Sequence, residues 1–173
     1  HHANGIWSTQ TVAIDEFVMD HSVSMALDSQ SLPHLSVGAS DGGGAVYLNL
    51  AHDGWHLMRV PDDSCGIVQH ASLALDSNYR PHIVYECGDA LHHAVHDDNY
   101  WQIETVITTG WSEIFPNITF DQYDLLHVCF YDGVNQDLKY GVLSRYGWQF
   151  RVIDYEGSVG RYCSIAVDGA GQV

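Results

Sequence analysis

The feature of this sequence that most constrains its fold is a segment that recurs about every 47 residues. In the copy at residues 72–85, SLALDSNYRPHIVY, an apolar stretch ends at an aspartate, a polar turn follows, and a histidine opens a second apolar stretch. The aspartate and histidine are six residues apart in three copies, a fourth copy reaches only its aspartate, and a tryptophan recurs with the same period. The recurring residues are Asp28/His34, Asp76/His82, Asp121/His127 and Asp168, with Trp7, Trp55, Trp101 and Trp148.

A repeat of this length that holds four short strands is typical of a β-propeller. Helical repeats of similar length need apolar residues at i, i+3, i+4 and i+7, and these segments lack that pattern. In one repeat we predict strands a, b, c and d at residues 71–76, 82–85, 91–95 and 101–106, joined by short polar turns. We therefore expect an all-β protein, a β-propeller built of four-stranded blades.

The two ends of the chain hold incomplete blades. Counted from tryptophan to tryptophan, the units of this single propeller segment span about 7–54, 55–100 and 101–147, with a partial unit at 148–173. This predicts three complete blades and partial blades at both ends, or fourteen strands where four blades would have sixteen. Because an open array leaves unpaired edges, we expect either part of a larger propeller or a propeller that closes by oligomerising.

The charge balance excludes several classes of partner. The chain has 22 acidic and 6 basic residues, a formal net charge of −16. Binding to nucleic acid needs clustered Lys and Arg, so we expect no nucleic-acid partner. No apolar run approaches the ~18 residues of a membrane span, so we expect no membrane insertion. Neutral sugars, cations and basic surfaces remain as possible partners.

The four cysteines favour disulfide bonds over a zinc site. They form no CxxC pair and no zinc-ribbon spacing. An even number suits an oxidising compartment, so an extracellular or periplasmic location is expected. Cys65 and Cys87 fall at the same end of one unit and could form a disulfide. Cys129 and Cys163 fall within strands of adjacent units and are predicted to be buried thiols.

Three features together resemble the repeats of sialidase-like and lectin-like bacterial propellers. They are the D-x5-H spacing, the strand c sequence DLKY at residues 137–140, and the tryptophan that follows. The resemblance covers nearly the whole chain and implies architecture. The sialidase Asp-box, S-x-D-x-G-x-T-W, is not matched, because Ser77-Asn78 follows Asp76. Sialidases also use three arginines on one carboxylate, whereas only Arg161 is well placed here, so that activity is disfavoured.

The Asp/His pairs could suggest acid–base catalysis. A pair that recurs in successive blades is expected to be structural, with the aspartate accepting hydrogen bonds from the turn backbone or from the histidine. The sequence contains no G-x-S-x-G, H-E-x-x-H, phosphate-loop or dinucleotide motif. We therefore predict no catalytic residues and favour a protein that is not an enzyme.

Candidate binding residues lie in the loops that join strand d to the next strand a. In propellers these loops share one face with the b–c loops, and here they are the longest and most variable segments. Aromatic rings stack on the apolar faces of sugars, and His or Arg can hydrogen-bond hydroxyl groups. The alternative is that the aromatic residues close the loops over the core. The predicted ligand-binding residues are Phe17, His21, His70, Trp111, Phe115, Tyr155, Arg161 and Tyr162.

Two segments could suggest a metal site. In the histidine-rich residues 91–96, His92 and His96 would lie ~13 Å apart on a strand and His93 would face the other way, whereas zinc ligands converge to ~2 Å. The turn at residues 132–137 offers oxygen ligands of the kind that calcium prefers, but Asp, Gly and Asn are also ordinary turn residues. We predict no metal site and no cofactor, with calcium as the alternative.

These observations favour an extracytoplasmic binding propeller that recognises carbohydrate or another neutral extracellular polymer through the face formed by the d–a and b–c loops. Two alternatives remain. One is a polysaccharide-degrading glycoside hydrolase or lyase, which needs two carboxylates ~5–9 Å apart. The other is a structural subunit that assembles into a ring or filament through its unpaired blade edges. Further partners would be copies of the chain in a homo-oligomer or additional blades of the same polypeptide.

Overall fold

The computed structural model describes residues 2–3, 6–7, 9, 12, 22–97 and 99–173. In these residues the fold consists of strands and turns, without a helix. Twelve strands form three four-stranded antiparallel sheets and two short strands form a hairpin. The described residues include no helix long and apolar enough to cross a membrane. The all-β prediction is therefore confirmed.

Each four-stranded sheet is a meander in which strands that follow one another in the chain pair with one another. We name them sheet I (β3–β6), sheet II (β7–β10) and sheet III (β11–β14). The predicted strands a to d are the four strands of sheet II, with their boundaries shifted by at most two residues. The strands are β1 His2–Ala3, β2 Ile6–Trp7, β3 Val23–Leu27, β4 Pro33–Val37, β5 Val46–Ala51, β6 Gly54–Arg59, β7 Ala71–Leu75, β8 Pro81–Cys87, β9 Ala90–His96, β10 Trp101–Thr108, β11 Asn117–Phe120, β12 Leu126–Asp132, β13 Asp137–Ser144 and β14 Gly147–Asp154.

The recurring tryptophan has the same register in every closing hairpin. Trp55 pairs with Leu50, Trp101 with His96, and Trp148 with Leu143. The β1–β2 hairpin repeats this register, because Trp7 pairs with His2. Trp101 packs edge-on against Tyr47 of sheet I, with 5.7 Å between ring centroids, and Trp148 packs in the same way against His93 of sheet II at 5.8 Å. The tryptophans of sheets II and III thus fill the space between neighbouring sheets.

The recurring aspartate closes the turn after each first strand, which confirms its predicted structural role. Oδ1 of Asp76 accepts hydrogen bonds from the backbone N–H groups of Asn78 (2.9 Å) and Arg80 (2.8 Å). The same two bonds form at Asp28, Asp121 and Asp168. The third residue after each aspartate has a positive φ, 61° at Tyr79 and 77° at Gly171, which is the left-handed conformation that such a tight turn requires.

The sheets pack side by side through their first strands, and we call each such contact a junction. No backbone ladder joins these strands. Instead, the backbone N–H of Leu73 donates to Ser24 Oγ (3.0 Å) and that of Ile118 donates to Ser72 Oγ (3.1 Å). Apolar clusters fill the space behind them, one between sheets I and II and one between sheets II and III.

The predicted fourth strand a, ending near Asp168, is not a strand in the structure. Residues 164–168 lie beside sheet III, where the N–H of Ile165 donates to Asn117 Oδ1 at 3.0 Å. This is a junction like the other two, made through a side chain. Because no described strand forms a ladder with residues 164–168, the segment keeps the junction contact and the aspartate turn without being a strand.

Both cysteine pairs form disulfides. The Cys65–Cys87 bond was one of the expected possibilities. The prediction that Cys129 and Cys163 are buried thiols is wrong, since they are bonded, with their Cα atoms 6.2 Å apart. The reason is the third junction, which brings Cys163, at the start of the last segment, within the usual disulfide span of β12.

Replacing both Cys129 and Cys163 with serine should lower the free energy of unfolding by about 3–4 kcal/mol, since the bond closes a loop with a sequence separation of 34 residues. Urea denaturation of this variant and of the oxidised parent measures the difference. An unchanged transition midpoint would show that the junction holds without the bond.

Candidate functional site

A cavity of about 250 Å³ lies where the first strands begin. One residue in each repeat stands six positions before the recurring aspartate: Ser22, His70, Phe115 and Tyr162. All four line this cavity, which we call the first-strand cavity, together with Ser24, Ser72 and Asn117. Because the first strands lie side by side and start at the same end, equivalent positions of four successive repeats converge there.

Three of the predicted binding residues form an aromatic cluster in this cavity. The ring centroids of His70 and Phe115 are 4.3 Å apart, as are those of Phe115 and Tyr162, while His70 and Tyr162 are 6.4 Å apart. Phe115 is buried, His70 is partly buried, and Tyr162 is 75% exposed. Phe115 therefore behaves as the alternative interpretation expected, closing a loop over the core, whereas the ring of Tyr162 is exposed.

A buried carboxylate supports the histidine of the cluster. Glu86 Oε1 lies 3.1 Å from His70 Nδ1, and Oε2 accepts the backbone N–H of Ile114 at 3.0 Å. The backbone N–H of Glu86 also donates to the carbonyl of His70 at 3.1 Å. Nδ1 is buried against the carboxylate but lies outside hydrogen-bond geometry with it, so Nε2 is the ring nitrogen that is not covered by Glu86. Sequence reasoning missed Glu86, because its position at the end of β8 carries no repeat signal.

The junction side chains supply hydrogen-bond donors to the cavity. Ser22 Oγ accepts the backbone N–H of Ala71 at 2.9 Å, and Ser24, Ser72 and Asn117 accept equivalent bonds. A hydroxyl that accepts one bond keeps its own proton to donate, and the Asn117 amide keeps two. These residues were also missed, although a signal was present: Ser24, Ser72, Asn117 and Ser164 each stand four residues before the recurring aspartate.

Three of the other predicted residues, Trp111, Tyr155 and Arg161, do not line the cavity. Trp111 is half exposed and lies over Gly133, where an added Cβ would come 2.2 Å from its Cδ1, so only glycine fits beneath the indole. Tyr155 is exposed in the loop after β14. Arg161 lies beside Tyr162, with its guanidinium over the Tyr131 ring and 3.5 Å from a Glu113 carboxylate oxygen. Phe17 and His21 lie outside the described residues.

Two groups of described residues could suggest a metal site, and both have protein partners. Asp62, Cys65 and Cys87 lie close together, but the sulfurs form a disulfide. Burial tends to raise the pKa of Asp62, but hydrogen bonds from Ser64, Tyr85 and His92 bring it below the usual value. In the turn proposed for calcium, the Asp132 carboxylate pairs with Lys139 and accepts from the Asn135 side chain at 2.8 Å. A cation there would have to displace the lysine.

Sheet II departs from the repeat at one buried position. In sheets I and III the recurring histidine is hydrogen-bonded to a tyrosine, His34 to Tyr47 and His127 to Tyr140. In sheet II a second histidine, His93, takes the place of the tyrosine, with its Nε2 2.9 Å from His82 Nδ1. Both imidazoles are buried. Burial, together with the charge of His93, lowers the pKa of His82 to about 4.

The hydrogen bonds of the histidine pair extend to residues between sheets II and III. His93 Nδ1 lies 3.0 Å from Glu104 Oε1, which also accepts the indole N–H of Trp148 at 3.0 Å. The hydrogen bond from His93, more than any other contact, lowers the pKa of Glu104 below its usual value. His92, the neighbour of His93, bonds instead to Asp62 at 2.7 Å. Adjacent histidines therefore face opposite sides of β9, as predicted.

Comparison with known proteins shows a likeness of fold. No family model matches the sequence, and no curated protein matches it. Among solved structures, the chain is similar to a fucose lectin from Kordia zhangzhouensis in complex with methyl-fucoside, with a TM-score of 0.51 and 15% sequence identity. The match covers 77% of this chain and 99% of the lectin chain.

The buried histidine pair predicts loss of stability in mild acid. The pKa of His82 falls from an ordinary value of 6.5 to about 4 on folding, so the folded state favours the neutral ring. The neutral ring therefore contributes to the free energy of unfolding, by about 3 kcal/mol at most. This contribution is complete above pH 6.5 and is lost as the pH falls towards 4. His82→Asn should flatten this pH dependence in urea denaturation. The exposed-site control His52→Asn should keep it, and equal slopes for the two variants would contradict the assignment.

Proposed function

We propose that this protein binds carbohydrate outside the cytoplasm, without catalysing a reaction, and that its three sheets are blades of a β-propeller. The observation that carries the proposal is the first-strand cavity, where an exposed tyrosine ring stands beside a set of hydroxyl and amide donors. The repeat length, the side-by-side sheets and the tryptophans between them support the propeller.

The chemistry of the cavity matches that of a sugar ring. One face of a pyranose is lined with C–H groups that pack on an aromatic ring, and its edge carries hydroxyls that both donate and accept. Tyr162 would provide the ring, Ser22 and Asn117 the donors, and His70 Nε2 an acceptor when Nδ1 carries the proton. The cavity of about 250 Å³ is smaller than the ~300–1,000 Å³ of pockets that enclose drug-sized ligands. A terminal sugar residue therefore fits this site better than the interior of a polymer.

Charge narrows the class of sugar. The protein carries a formal net charge of −16, and the buried Glu86 carboxylate lies directly behind His70. Sialylated, sulfated or uronic-acid glycans would be repelled at long range by this field. Neutral glycans are therefore the expected ligands. Because only one arginine, Arg161, lies next to the cluster and it is paired with Glu113, recognition of a carboxylated sugar finds no support here.

Two further observations agree with this function. The solved structure that the fold resembles is named as a fucose lectin in complex with methyl-fucoside, which supports carbohydrate binding at the level of the fold. Two disulfides are expected of a protein that works in an oxidising compartment, which supports an extracellular or periplasmic location.

Tyr162→Ala should weaken glycan binding about tenfold, since aromatic stacking contributes ~0.5–1.5 kcal/mol beyond the area buried. A glycan array of neutral and acidic sugars would identify the ligand, and calorimetry would measure the affinities. Tyr146→Ala is the matched control, because Tyr146 is equally exposed, at 75%, but lies in a turn at the opposite end of sheet III.

Three results would contradict the proposal: no neutral glycan bound, equal affinities for the two variants, or preferred binding of acidic glycans. Release of reducing ends from a bound polysaccharide would establish the hydrolase alternative in place of a non-enzymatic lectin.

A further inference from the structure

The first strand of sheet I has an apolar face that is exposed among the described residues. Val23, Met25 and Leu27 on β3 are 63%, 62% and 55% exposed, while Ser24 and Ala26 between them are partly buried against sheet II. The equivalent apolar residue of sheet II, Leu73, is buried at the junction with sheet I. Within the part of the chain that the structure describes, the β3 face therefore has no neighbour of the kind that the other first strands have.

Residues 164–167 expose the complementary surface, a pair of small residues without an apolar strand packed on them among the described residues. Ile165 and Val167 are partly buried against sheet III, whereas Ser164 and Ala166 are exposed. In the internal junctions the small residues of one first strand pack under the apolar residues of the next: Ser72 accepts the Ile118 N–H, and Ala74 and Phe120 pack in the same cluster. Ser164 and Ala166 are a set of small residues with no such strand above them among the described residues.

The register of the two surfaces is the same. Ser164 stands four residues before Asp168, as Ser24 and Ser72 stand before their aspartates, and Met25 stands three before Asp28, as Leu73 stands before Asp76. We propose that a second copy of this chain docks its β3 face onto residues 164–167 in the register of the internal junctions. The Met25 N–H of one copy then donates to Ser164 Oγ of the other, and Met25 and Leu27 cover Ser164 and Ala166.

The β1–β2 hairpin is an independent reason to choose a second copy as the occupant. It has the register of a closing hairpin and precedes sheet I in the chain. It therefore has the register of the third and fourth strands of a sheet, whereas residues 164–167 occupy the position of a first strand beside sheet III without forming one. Head-to-tail docking would bring three of the four strand positions of one further sheet together. Because the two surfaces differ, the contact is heterologous and repeats until a ring closes.

Charge makes this association depend on salt. Each copy has a formal net charge of −16, so the copies repel one another at long range, and the docked surfaces themselves are apolar. Raising the salt concentration from about 0.05 M to about 0.5 M should therefore favour the assembly.

Light scattering across protein concentrations and at both salt concentrations measures the association. The expected mass exceeds that of the 19.3 kDa chain and rises with salt. Met25→Asp should return the protein to monomer, because it places a charge on the docking face. Val134→Asp is the matched control, since Val134 is 58% exposed in the turn between β12 and β13. A monomer under all conditions, or equal masses for the two variants, would overturn the proposal.

Cysteine cross-linking tests the register separately from the mass. The pair Met25→Cys and Ser164→Cys should give a disulfide-linked dimer on a non-reducing gel. The pair Ser24→Cys and Leu73→Cys is the control, because it places the same two junction positions within one chain, where a cross-link must be intramolecular. A cross-linked control without a cross-linked dimer would overturn the register. A cross-link between Met25→Cys and Ser164→Cys within a single chain would overturn the choice of a second copy.

Discussion

The structure depends on a hydrogen bond between a side chain and the backbone of the next first strand. Strands from different sheets meet there without a ladder, so a buried N–H such as that of Ile118 needs another acceptor. Ser24, Ser72 and Asn117 provide it. These side chains are short enough to let two backbones approach, and they hold neighbouring sheets in one register. The first-strand cavity follows from the same arrangement, because it is lined by equivalent residues of successive repeats.

The strands, their turns and the role of the recurring aspartate could be predicted from the sequence, because they depend on local spacing. The packing of Trp101 and Trp148 between sheets could also be predicted, because an indole that recurs with the repeat must serve the same contact each time. The bond between Cys129 and Cys163 could not be predicted in this way. It depends on how closely the last segment approaches β12, and that distance is set by the junction.

For the candidate site, the structure brings together only some of the residues that were predicted from the loops. His70, Phe115 and Tyr162 came from reading the loops before each first strand, and the structure brings their rings together. Trp111, the tryptophan outside the repeat, was predicted from the same loops and lies half exposed over the turn at Gly133. Glu86 shows the limit of this approach, because a lone acidic residue at a strand end does not reveal that it will be buried behind a histidine.

The Cys129–Cys163 bond makes the position of the last segment depend on the redox state of the surroundings. It fastens the final segment to sheet III, and that segment displays Ser164 and Ala166. In a reducing cytosol the thiols would stay unpaired, and the segment would be held by the Asn117 contact and its side-chain packing alone. In an oxidising compartment the bond would fix this edge in place. In the assembly proposed above, the docking edge would therefore be rigid only after the disulfide has formed.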